Sequence, residues 1–154
     1  MTRVDEELVL DIVVYGAAEP AGSKTRTNWG VRDSNPKSRP WKHQVAQVVA
    51  LELGDDPLET GPLTLRLDFH TPRPKGHHKP DGTLNTPGRR LPYPTRKPDV
   101  LKLARAVEDA LTGIAYRDDA QIVREHLAKH YGAPARVRIR IYRITSLADE
   151  EGEE

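Results

Sequence analysis

The sequence predicts a small α/β fold of the α+β kind, a mixed β-sheet packed with two main helices. Three observations predict it. Residues 61–69 and 135–144 alternate apolar and polar side chains, the period of a strand with one buried face. Residues 40–53 and 100–111 carry apolar side chains at helical spacing instead. The order of these segments, β(β)αβ–loop–α–ββ, is that of an α+β domain. At 154 residues the chain is sized for one domain with a modest core.

Taken in order, residues 8–15 are apolar and β-branched and end at Gly16 and Pro20, so they read as a strand. A loop over 16–26 leads to a short strand at 28–32. Pro40 opens the first helix, where Trp41, Val45, Val48 and Val49 share a face. In the strand 61–69, Leu63, Leu65, Leu67 and Phe69 point to one side. Residues 71–97 hold six Pro and three Gly, which reads as a long loop without regular structure. The second helix, 100–111, places Val100, Leu103, Ala104, Val107, Ala110 and Leu111 in a core stripe, with Gly113 as its stop signal. Asp99 falls at its N-cap, where a carboxylate accepts backbone N–H bonds and meets the positive end of the helix dipole. Residues 120–130 fit helix and strand equally. In 135–144, Val137, Ile139 and Ile141 alternate with Arg136, Arg138 and Arg140. The domain is expected to span residues 1–144, leaving 145–154 as an acidic, disordered tail.

The formal charge of +1 conceals a strong asymmetry. Residues 145–154 hold five acids and no base; the remainder has 24 bases against 18 acids, or +6. Residues 71–97 have seven Lys and Arg against one acid, also +6. A focused basic loop favours a polyanionic partner. No apolar run approaches the ~18 residues of a membrane span. The N-terminus lacks the features of a signal peptide. The absence of cysteine excludes disulfides and cysteine-based zinc sites and fits a cytoplasmic protein. Residues 16–25 loosely follow a phosphate-binding loop, but five residues separate Gly16 from Gly22 and Ser23 precedes Lys24, so a basic turn against phosphate backbone is expected instead. His126 and His130 are four apart, as metal-binding histidines on a helix can be, but on a strand they would lie ~13 Å apart and could not share an ion.

The residues suited to chemistry are Asp99, Arg105, Asp118 and Asp119. Phosphodiester hydrolysis needs a nucleophilic water and neutralised phosphate charge, and oxygen-ligated Mg²⁺ held by carboxylates supplies both. Lys97-Pro98-Asp99, Asp109-Ala110-Leu111-Thr112-Gly113 and Asp118-Asp119-Ala120-Gln121-Ile122-Val123 together resemble the core signature of the RusA-type Holliday junction resolvases. Tyr15-Gly16, Pro20, Gly22-Ser23-Lys24 and Arg73-Pro74-Lys75 agree with phage and bacterial members, so the resemblance runs through most of residues 8–143. It implies a dimeric endodeoxyribonuclease that nicks four-way junctions symmetrically with Mg²⁺, Mn²⁺ being a possible substitute. It also implies catalytic roles for Asp99, Asp118 and Asp119 as metal-site acids and for Arg105, which stands where the family has a lysine. Asp109 matches an acid usually read as structural. Lys24, Arg26, Arg73, Lys75, Lys79, Arg89, Arg90, Arg96 and Lys97 are expected to grip backbone phosphates.

One departure is prominent. The family reads Asp-x-Asp-Asn where this chain reads Asp99-Val100-Leu101-Lys102, so Leu101 replaces a metal-ligand aspartate. Glu108, on the same helix flank about 10 Å further along the axis, is the candidate substitute ligand. The expected function is therefore a Mg-dependent nuclease that resolves Holliday junctions and other branched DNA by paired nicks. The alternative is a catalytically weakened or inactive junction-DNA-binding protein. A basic RNA-binding domain is a third class, disfavoured by the single phenylalanine, Phe69.

Overall fold

A computed structural model describes residues 3–22 and 24–148. The strand β1 (Arg3–Tyr15) precedes a hairpin of β2 (Lys24–Thr27) and β3 (Gly30–Asp33). Helix α1 (Ser38–Leu53), strand β4 (Leu63–Thr71), a 3₁₀ turn (Lys75–His77) and the short helix α2 (Thr86–Arg90) follow. Helix α3 (Val100–Leu111), a second 3₁₀ turn (Asp119–Gln121) and strands β5 (Ile122–Tyr131) and β6 (Arg136–Ala148) complete the chain. The four-stranded sheet has the order β1-β6-β4-β5, and the hairpin forms a sheet of its own. β6 runs antiparallel to both β1 and β4, whereas β4 and β5 are parallel. The expected mixed α/β architecture is present.

The alternation in the sequence decides which face is packed. Leu63, Leu65, Leu67 and Phe69 of β4, Val137, Ile139 and Ile141 of β6, and Leu10 and Val14 of β1 are all buried. Trp41, Val45 and Val49 of α1 and Leu103, Ala104, Ala106, Val107, Ala110 and Leu111 of α3 join them in one core. Each large apolar side chain buried there contributes about 1.5–3 kcal/mol relative to exposure. The helix stripes match expectation, with Ala106 added and Val48 and Val100 only partly buried. An ion pair between Lys42 Nζ and Asp109 Oδ2 (3.1 Å) ties α1 to α3, which gives Asp109 a structural role. Gly16 closes β1 at a φ of +143°, and a Cβ there would stand 3.0 Å from the Trp41 ring. The residue therefore needs both the backbone freedom and the missing side chain of glycine.

The structure settles one segment left open and corrects others: Lys24–Thr27, expected to end a loop, form a strand, and residues 28–29 are the turn of the hairpin. Residues 120–130 resolve as strand from Ile122 onward, because they pair in register with β4 from Leu63↔Ile122 to Thr71↔Tyr131. Residues 145–148, expected to belong to the tail, instead continue β6, and Ser146, Leu147 and Ala148 pair with Asp5, Val4 and Arg3. The expectation for residues 149–154 lies outside the described residues. Residues 71–97, expected to be irregular, contain the first 3₁₀ turn and α2. Proline does not break α2 because it sits in the first turn, where its missing N–H costs nothing. Asn85 caps that helix by accepting from the Gly88 N–H (2.8 Å) and donates to the Gly76 carbonyl (2.6 Å).

The loop is packed closely enough to make a sharp prediction. Gly88 is buried, and a Cβ built on it would lie 2.4 Å from the His77 carbonyl oxygen, a backbone atom that cannot swing away. Gly88→Ala is expected to destabilise the fold by about 1–3 kcal/mol, the usual cost of overpacking, measured as a lower urea midpoint at unchanged m-value.

Candidate active site and nucleic-acid interface

Because β4 and β5 are parallel, the chain leaving β4 must travel back along the whole sheet before β5 begins. The basic loop and the start of α3 lie where β4 and β5 end; the residues after α3 lie where they start. Lys129, near the end of β5, marks the first region by donating to the carbonyls of Arg96 and Pro98 (3.0 Å each). In sheets with parallel strands, ligands usually bind beyond the carboxyl ends of those strands. A cavity of about 240 Å³ opens there, lined by Phe69, Leu103, Tyr131, Arg96, Lys97 and Lys129 among others.

Asp99 is the N-cap of α3, but its side chain makes no capping bond, contrary to expectation. Only its carbonyl takes part, accepting from the Leu103 N–H (3.3 Å). The exposed carboxylate is left without a hydrogen-bond or ion-pair partner among the described residues, two positions after exposed Lys97. Leu101 is 62% exposed, so the core does not require it. Arg105 is exposed further along the same flank and likewise unpaired among the described residues.

Asp118 and Asp119 lie at the other end. Asp118 accepts from the Ala120 N–H (3.0 Å), and Gln121 Oε1 accepts from the N–H groups of Arg117 and Asp118 (2.9 Å each). This reciprocal cap holds the turn into β5. The Ala120 N–H also lowers the pKa of Asp118, while that of Asp119 is raised, first by its hydrogen bond with Asp118. Asp109 and Glu108, from the end of α3, repel Asp119 as well. From Asp99 to Asp109 the helix rises ~15 Å, and from Ile122 to Lys129 the strand covers ~23 Å. Two acids sharing an ion must stand within a few ångströms of it. A single chain therefore does not gather Asp99, Asp118 and Asp119 around one cation, and no group of three or more His, Asp or Glu among the described residues is arranged to hold one.

Glu108, expected as a substitute ligand, instead meets Glu125. The register places Glu125 opposite Leu65 and hence on the helix-covered face. Partial burial first, then the hydrogen bond and charge of Glu125, push the Glu108 carboxyl up to about 8. Sequence reasoning missed Glu125, since 120–130 had no settled periodicity and its face was undefined.

The basic residues divide by what they touch. The Arg73 guanidinium donates to the carbonyls of Gly88 (2.8 Å) and Leu91 (3.0 Å) and lies 4.3 Å over the Tyr131 ring, so it pins the loop internally. Arg89 also donates inward, to the Leu84 carbonyl (3.0 Å). Lys75, Lys79, Arg90, Arg96 and Lys97 present exposed side chains. The contacts expected of Lys24 and Arg26 rest on side chains outside the described residues.

The family model for endodeoxyribonuclease RusA matches residues 12–142, from within β1 to within β6. This chain belongs to the RusA endodeoxyribonuclease family. A relative, the uncharacterized protein YqaN of Bacillus subtilis (strain 168), is 30% identical over 141 residues, covering 89% of this chain and 98% of the relative. RusA membership implies a nuclease of the Holliday junction resolvase type, in a family generally dependent on divalent metal.

Two outcomes follow from the site's geometry. The folded chain keeps a proton on Glu108 up to about pH 8, whereas the unfolded chain releases it near 4.5. Between those values the folded state binds the extra proton, so this group makes stability fall as pH rises. Glu108→Gln is expected to flatten that decline, its advantage over wild type growing between pH 5 and pH 8 in urea melts. Among the bases, Arg73→Ala is expected to lower the melting temperature. Arg90→Ala and Lys97→Ala should leave it unchanged and weaken DNA binding in anisotropy titrations.

Proposed function

We propose that this protein is a divalent-metal-dependent, structure-specific endodeoxyribonuclease that resolves Holliday junctions and other branched DNA. It would act in the cytoplasm as a homodimer making paired symmetric nicks. Asp99 carries the reading: an exposed carboxylate, without a partner among the described residues, beyond the carboxyl ends of the parallel strands and beside the basic loop. Lys75, Lys79, Arg90, Arg96 and Lys97, together with Lys24 and Arg26, hold backbone phosphates, which gives affinity without sequence choice; Arg73 and Arg89, expected to do the same, are engaged within the loop. Arg105 faces the same solvent and neutralises charge on the scissile phosphate. The symmetry of two copies suits a substrate with two equivalent strands.

Mg²⁺, or Mn²⁺ in its place, is the proposed cofactor, with Asp99, Asp119 and supporting Asp118 as its protein ligands. The separation along α3 does not fit these acids to one ion within a chain. In the homodimer, the Asp118–Asp119 pair must come from the other copy; otherwise the ion rests on Asp99, phosphate oxygens and water.

The alternative is a branched-DNA-binding protein weakened or silenced in catalysis, favoured by Leu101 standing exposed where the family has a ligand. A nicking assay on a synthetic four-way junction with Mg²⁺ or Mn²⁺ separates the readings. For the enzyme, wild type nicks, Asp99→Asn and Asp119→Asn each lose at least a hundredfold, and binding persists. Junction binding without nicking, with activity gained in Leu101→Asp, establishes the alternative. Mixing the Asp99→Asn and Asp119→Asn proteins restores one intact site per mixed dimer only if the acids come from different copies.

A further inference from the structure

Of the two tryptophans, Trp41 is 4% exposed in the core and Trp29 is 89% exposed. A bare indole is an expensive surface to leave in water. Trp29 occupies the turn Thr27-Asn28-Trp29-Gly30 at the tip of the β2–β3 hairpin. Thr27 Oγ1 accepts from the Trp29 N–H (3.2 Å) and donates to the Gly30 carbonyl (2.9 Å), while Gly30 takes a φ of +122°. Among the described residues the hairpin's strands pair with each other alone, as a separate two-stranded sheet.

The hairpin's neck is fixed at both sides. Asn35 Nδ2 donates to the Pro20 carbonyl (2.9 Å), drawing the entering and leaving strands together. The Ala21 N–H donates to the Lys102 carbonyl (3.0 Å), in the first turn of α3. The hairpin therefore rises from the end of the molecule that holds Asp99. Its seven residues from neck to tip reach at most ~23 Å. Residues 24–33 contain three bases, Lys24, Arg26 and Arg32, against one acid, Asp33.

We propose that Trp29 is a stacking platform for an unpaired or unstacked nucleobase of DNA held at the Asp99 end. An indole face at the tip of a basic hairpin matches a base face beside its phosphates, and aromatic stacking accepts any base. Within continuous duplex both faces of each base are occupied by neighbours, whereas a branch point frees them. The hairpin is thus a structure-selective contact, where the phosphate-gripping residues are indifferent to branching. The proposal rests on the DNA-binding reading above.

Fluorescein-labelled four-way junction and long duplex, titrated with the full chain, test it through anisotropy and tryptophan emission together. Trp29 emission is the difference between wild type and Trp29→Phe. The expected result is quenching of that difference by the junction and not by the duplex. Trp29→Ala should weaken junction affinity about tenfold, with duplex affinity and melting temperature unchanged, and Trp29→Phe should retain most of the affinity. Junction binding with unaltered Trp29 emission, or undiminished in Trp29→Ala, overturns the stacking role and spares the DNA-binding reading. Failure of wild type to bind either DNA overturns both. Emission that depends on protein concentration without DNA assigns the indole to self-association, which also overturns the proposal.

Discussion

The parallel pairing of β4 with β5 is the constraint on which the rest of the structure depends. Parallel neighbours cannot be joined by a tight turn; the chain must leave one end of the sheet, cross a face and return. Here the crossing is α3, whose apolar stripe covers the core as it passes. The detour gathers the basic loop, the cavity and Asp99 at one end and sends Asp118 and Asp119 to the other. Packing and chemistry are thereby coupled through α3, whose buried side serves the core and whose exposed flank carries Leu101 and Arg105.

Much of this was legible because it is local. The stripe of α3, the alternation of β4 and β6 and the place of Asp99 at the start of α3 follow from spacings within a dozen residues and match the structure, although the Asp99 side chain does not cap the helix. What was not legible depends on partners distant in sequence. Residues 120–130 become a strand because β4 lies alongside. That register puts Glu125 against Glu108 and turns a candidate ligand into half of a carboxyl pair. The proline-rich loop misled for a different reason. Its residues were read by composition, whereas position decides: Pro87 in a first turn favours a helix, and Gly88 lets two backbone segments touch.

The family match and the geometry bear on different questions. The match covers both acidic segments and places the chain among RusA endodeoxyribonucleases. The geometry gives those segments unequal surroundings. Asp118 is engaged in holding a turn, Asp119 leans on Asp118, and Asp99 is unengaged among the described residues. Asp99 and the loop before it are thus the part of the signature that the fold leaves available to a substrate.

The separation of basic and acidic ends also makes the molecule an electric dipole. Lys75, Lys79, Arg90, Arg96 and Lys97 lie toward one pole, and Asp109, Asp118 and Asp119 toward the other. A polyanion's field exerts a torque on such a body as well as a pull, turning the Asp99 pole forward before contact. Such a field biases the orientation of encounter toward the Asp99 end before any specific contact forms.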